Sequence, residues 1–114
     1  MEDIKFKIFE SPWTIKFQDK VYTEGDDGRE VWAFGIAKPA ERKMFISTKT
    51  EEGTSIPASE IKLTVLHEVI HALLVTGQYL QYNADEPLVE WLARCVFSMM
   101  SNKTINKIDN IKAK

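Results

Sequence analysis

From Ile61 to Leu74 the chain is apolar over most of a helical circumference, and its polar residues collect in one narrow stripe. At 100° per residue, counted from Ile61, His67 falls at about 240° and His71 at about 280°, with Gln78 at about 260° and Thr64 at about 300°. Leu63, Val65, Leu66, Val69, Ile70, Leu73 and Leu74 occupy the other side, between about 40° and 220°. Such a helix must be mostly buried, so its polar stripe has to face a cleft. Its expected span is Pro57 to Thr76, with Pro57 in or just before the first turn and Gly77 as the stop.

The chain has two histidines, both in that stripe and four residues apart, with Glu68 directly after the first. Residues i and i+4 stand one above the other, so both imidazoles point to the same place and Glu68 reaches in from the flank. The plain alternative is a chance pair satisfied by neighbours or water, but this spacing with its glutamate arises by accident on the order of once in several hundred. HExxH on a helix points to a metal: neutral imidazole ligates zinc at about 2.0–2.1 Å, and two on successive turns can share one ion.

Two ligands are too few, because a catalytic zinc takes three from the protein and keeps one position for water. No third histidine exists, and ALLVTG after His71 does not continue as HExxHxxGxxH. Cys95 falls in an apolar arc with Leu88, Leu92 and Met99 and reads as a small buried thiol. A carboxylate remains. A second helix, expected from Asp85 to Ser101, carries Glu86 and Glu90 on one face, at the border of the arc formed by Val89, Ala93, Val96 and Met100. Either glutamate can reach the first helix. Glu86 also suits a capping box with Asn83, and Glu90 an i, i+4 pair with Arg94.

The 114 residues, 44% of them apolar, suffice for one core and are too few for two ordinary domains. We expect one domain over residues 1–101 and a lysine- and asparagine-rich, frayed and solvated tail over 102–114. A net charge of −2 provides no basic field for nucleic acid. No run approaches the ~18 uncharged apolar residues of a membrane span. One cysteine and a start, MEDIKFKIFE, without a signal-peptide pattern suggest the cytoplasm. Short β-type runs fill the first half: Ile4 to Phe9, Thr14 to Phe17, Val31 to Ala37 and Met44 to Thr48. Glu24 to Gly28 reads as a hairpin turn, since Asp-Gly supplies positive φ, and Glu51 to Pro57 as a polar loop. The fold class is therefore α+β: a small antiparallel or mixed sheet, then the helix with HExxH, then the helix with the glutamates. Trp32, Phe34, Trp91 and Phe97 are expected in the core.

HEVIH on one helix and DEPLVE at the start of the next resemble the gluzincins, zinc metallopeptidases whose third ligand is a glutamate on a downstream helix. The segment MFISTKT…SIPASEIKLTVLHEVIHALL is similar to small zincin-like peptidases of phages and other mobile elements. The resemblance, from about Val31 to Met100, implies a zincin-like fold, Zn²⁺ as cofactor, His67, His71 and Glu86 as ligands, and Glu68 as general base. It also implies that Glu90 hydrogen-bonds the first histidine and fixes its tautomer. Asp85 stands where asparagine is common in the family, and Glu90 where a smaller acid is, so Glu90 as ligand with Glu86 in support is the alternative.

In that chemistry zinc polarises the scissile carbonyl and activates water, and Glu68 moves the proton to the leaving amine. Tyr79 and Tyr82, between the helices, are candidates to stabilise the oxyanion, with loop packing as their plain role. In zincin folds the strand nearest the active-site helix is an edge strand that pairs with substrate, and MFIST is placed for this. A monomer acting on peptide or protein is expected. The competing reading is a non-catalytic, zinc-containing regulatory or protein-interaction module of a mobile element. A deformylase-like hydrolase fits poorly, because that family's cysteine ligand lies upstream and Cys95 lies downstream.

Overall fold

The computed structural model describes residues 1–112. Among the described residues the chain forms a compact α+β fold in which six strands, the last two joined through a 3-10 turn at Pro39–Glu41, precede four α-helices. Strands β1 (Ile4–Ile8), β2 (Ser11–Gln18), β5 (Gly35–Lys38) and β6 (Lys43–Ser47) make one sheet in the order β1-β2-β6-β5. The β2–β6 pair is parallel and the others antiparallel, so the sheet is mixed. Strands β3 (Val21–Glu24) and β4 (Glu30–Ala33) form a separate hairpin. Its turn closes with Gly28 at φ +80°, the conformation for which Asp27-Gly28 is suited.

Alternation along β2 and β6 turns Trp13, Ile15, Met44 and Ile46 to one face, where they meet Ile61 and Ala72 of α1 (Ala58–Thr76). A second cluster joins Ile70 of α1 to Val89 and Ala93 of α3 (Glu86–Ser101), with Leu63, Leu66, Leu74 and Leu92 around it. Helix α1 therefore has two apolar faces, one on the sheet and one on α3. That is why its apolar arc is so wide and its polar stripe so narrow.

Several expectations change. The run Val31 to Ala37 is two strands that part at Phe34: β4 stays with the hairpin and β5 joins the main sheet. Buried Ser47 holds the junction, donating through Oγ to Ala33 O at 2.7 Å and accepting from Val21 N at 2.8 Å, while its own N donates to Phe34 O. The MFIST run is not an edge. It forms β6, between β2 and β5, and the edge strand against α1 is β5. The consecutive apolar residues Met44, Phe45 and Ile46 suit a strand flanked on both sides. Of the four aromatics expected in the core, Trp32 packs partly buried against it, whereas Phe34 and Trp91 are 51% and 62% exposed.

After α1 the left-handed residue is Gln78 at φ +63°, and Gly77 keeps a helical φ of −81°. The glycine is needed for space: a Cβ there would lie 2.9 Å from the Tyr79 ring. A short helix α2 (Leu80–Asn83) follows, and α3 then starts at Glu86 with Asp85 as its cap, accepting from Leu88 N at 3.1 Å. The tail expected to fray forms a short helix, α4 (Thr104–Asp109), entered where Asn102 accepts from Thr104 N. Its side chains are exposed apart from half-buried Thr104. The last two residues of the expected tail lie outside the described residues. No helix among those described is long and apolar enough to cross a membrane.

Candidate metal centre

Helices α1 and α3 pack so that the stripe of α1 meets the first turn of α3. His67 Nε2 and His71 Nε2 are 3.1 Å apart. Glu86 closes the triangle, with Oε2 3.0 Å from His67 Nε2 and Oε1 3.0 Å from His71 Nε2. The two imidazoles are largely buried, and Glu86 comes in from the exposed side.

The outer ring nitrogens decide what these three groups can do. Carboxylate and amide oxygens only accept, so His67 Nδ1–H donates to Glu90 Oε2 at 3.2 Å, and His71 Nδ1–H donates to Asn83 Oδ1 at 2.8 Å. A neutral ring with its proton on Nδ1 presents a lone pair at Nε2. With both rings neutral, two nitrogen lone pairs and a carboxylate converge, a repulsive arrangement that a cation between them would turn into coordination. The donors of an ideal tetrahedral ion with bonds of about 2.0–2.1 Å lie roughly 3.3–3.4 Å apart. With one donor atom from each, His67, His71 and Glu86 lie within 4.8 Å of one another, near enough to hold a metal ion.

No family model, characterised protein or solved structure matches this chain. What the site can do therefore has to come from its own side chains.

Glu68 is 7% exposed beside the two imidazoles. Burial pushes its carboxyl above the usual 4.5, His71 and His67 pull it down, and Glu86 adds to the rise. Glu68 lines two cavities, one of about 410 Å³ that all three donors also line and one of about 760 Å³ that of the donors only His67 lines. A buried carboxyl of raised proton affinity that lines open space next to a candidate cation site has the attributes of a proton acceptor.

The two glutamates of α3 divide the work. Glu86 reaches both Nε2 atoms, whereas Glu90 reaches only the far side of His67 and holds Arg94 Nε at 3.3 Å with its other oxygen. The ion pair with Arg94 and the contact with His67 coexist. Asn83 is the residue the sequence reading missed: it sits on α2, outside any capping box with Glu86, and orients His71. Its signal was an asparagine three residues before the ligand candidate, which the capping pattern accounted for too readily. Tyr79 and Tyr82 do not come to the centre. They are exposed, pack against each other with ring centroids 6.4 Å apart, and line neither cavity. Cys95 is half-buried on α3 and outside the donor cluster.

Gly35, the first residue of β5, lines both cavities. A Cβ at this position would meet Thr64 Cγ2 at 2.9 Å, Ile46 Cδ1 at 3.0 Å and Glu68 Cγ at 3.2 Å. The edge strand lies this close to Glu68 because Gly35 has no side chain.

Proposed function

We propose that the chain is a zinc metallopeptidase of gluzincin type with a zincin-like fold, in which His67, His71 and Glu86 hold the ion and Glu68 is the general base. The observation that carries this is the convergence of two imidazole Nε2 atoms and the Glu86 carboxylate at 3.0–3.1 Å, with both Nδ1 atoms hydrogen-bonded outward, beside a buried carboxyl. Three nitrogen and oxygen donors with an open side are the donor set that zinc takes in catalytic sites. Bound there, zinc would supply Lewis acidity and make a water more acidic, towards neutral pH.

The rest of the reaction belongs to the chain. Glu68, buried beside both imidazoles, would accept a proton from the attacking water and return it to the leaving amine. Glu90 and Asn83 keep both imidazoles in the ligating tautomer throughout. The outer edge of β5 is unpaired, so an extended peptide can add to the sheet there, taking main-chain hydrogen bonds beside Glu68. This makes protein or peptide the substrate class.

The test is metal content together with peptide hydrolysis in the native protein and in Glu68→Gln. One bound zinc in both proteins, with turnover only in the native one, is expected. Zinc in both with no hydrolysis of any peptide by the native protein would instead support a zinc-containing interaction module.

A further inference from the structure

We infer that the larger cavity receives a basic side chain of the peptide substrate and that Glu60 selects it. This deepens the peptidase reading and rests on it. The two cavities, which share Gly35, His67 and Glu68, differ in chemistry. The smaller space, about 410 Å³, is walled by uncharged residues such as Thr23, Ile36 and Pro39, and its charged groups belong to the centre itself. The larger, about 760 Å³, has apolar walls from Phe34, Leu63 and Phe97 and three charged groups beyond the histidine motif: Glu60, Glu90 and Arg94.

Those three do not cancel. Arg94 is tied to Glu90 at 3.3 Å. Glu60 has no ion-pair partner among the described residues. Thr64 bonds the Glu60 backbone oxygen at 3.0 Å and leaves its carboxylate unoccupied by that contact. Glu60, Thr64 and Glu68 follow at i, i+4 and i+8, so an exposed carboxylate sits two turns along α1 from the general base, on the same side of the helix. The cavity thus offers aromatic and aliphatic walls with one unbalanced negative charge.

Lysine and arginine match this pairing of surfaces, with an apolar stem to lie on Leu63 and the rings and a cationic head for Glu60 or a phenyl face. A leucine would use the walls and leave the charge unanswered. An acidic side chain would face Glu60 and Glu90 together. The exposed half-ring of Phe34, unexplained as core, becomes wall. Because Glu60 is exposed and its ion pair would be screened by salt, the preference should be several-fold.

The experiment measures binding to the zinc-loaded Glu68→Gln protein, which separates recognition from turnover. Alanine-based hexapeptides with one central Arg, Leu or Glu are titrated by NMR at low and high NaCl. The Arg peptide is expected to bind about five-fold more tightly than the Leu peptide and more than ten-fold more tightly than the Glu peptide at low salt, with the margins narrowing at high salt. Glu60→Gln should erase the margin of Arg over Leu, and Glu60→Lys should favour the Glu peptide. Equal binding of Arg and Leu, survival of the Arg preference in Glu60→Lys, or no saturable binding of any peptide overturns the inference. Hydrolysis by the native protein is scored separately: cleavage without basic preference removes only the role of Glu60. Arg-selective binding without cleavage removes only the peptidase reading.

Discussion

The two walls of the cleft are built on opposite principles. On the helical wall, α1 and α3 present side chains whose positions are fixed by further side chains: Glu90 behind His67, Asn83 behind His71 and Arg94 behind Glu90. On the sheet wall, β5 presents backbone, and what matters there is the side chain Gly35 lacks. A metal needs a few donors at fixed distances, whereas an extended peptide of varied sequence needs repeated main-chain groups and nothing in the way. Substitutions at the donors and their orienting partners on the helical wall should therefore act through the metal, and those on the sheet wall through approach of the substrate.

The largest effect belongs to the ligands. His67→Ala, His71→Ala and Glu86→Ala should each lose the ion under dialysis conditions where the native protein keeps it, as read by metal analysis. Glu90→Ala and Asn83→Ala leave all three donors in place and remove only orienting partners, so they should weaken metal binding by about 10- to 100-fold. Retention of metal in Glu86→Ala with loss in Glu90→Ala would exchange the roles of the two glutamates. The next effect is on turnover: Glu68→Gln should lower kcat by about 10²- to 10⁴-fold with metal unchanged.

This contrast also marks what could be read before the structure. His67, His71 and Glu68 were legible because i, i+4 spacing on a helix is a local rule, and the two helices followed from apolar period and from Pro57 and Asp85 near their starts. Helix contacts near in sequence carry that information. The sheet is different. That Met44 to Ser47 lies inside it and Gly35 to Lys38 at its edge depends on strand order, which no short pattern encodes. Two hints were present: three consecutive apolar residues at Met44 to Ile46, the mark of a fully flanked strand, and the Lys38-Pro39 pair, which suits an edge. The parallel β2–β6 pairing had no local signal. Asn83 was hidden because the short helix α2 sets its direction, and four residues of helix leave little periodic trace.

On the sheet wall, Gly35→Ala sharpens the comparison. The added methyl meets Thr64, Ile46 and Glu68 at once, so β5 must move outward or Glu68 must shift, at a cost of about 1–3 kcal/mol in folding stability. Metal content should not change, because none of the three donors touches Gly35. Combining it with Thr64→Ser removes the Cγ2 atom that lies closest and should recover part of the loss in a thermal melt. No recovery would mean that Ile46 or Glu68 takes the strain.

The smallest effect concerns the metal-free protein and comes from Glu68 alone. Its folded proton affinity is raised, chiefly by burial, above the unfolded value of about 4.5. A group of this kind favours folding most when it is protonated in both states, below about pH 4.5. That contribution is lost as pH rises through the higher folded value, since the folded state must then bury the charge or release it less readily than the unfolded chain. Glu68→Gln has no such proton to lose. In the presence of a chelator, the native protein should therefore fall behind Glu68→Gln in melting temperature as pH is raised above 4.5, and the gap should level off once the folded carboxyl has ionised. Added zinc should narrow the gap, because a cation beside Glu68 favours its charged form. Parallel melting curves for the two proteins across that range would mean that the carboxyl is hydrated in the metal-free state, with the sheet wall further from α1 than the crowding of a Cβ at Gly35 against Glu68 implies.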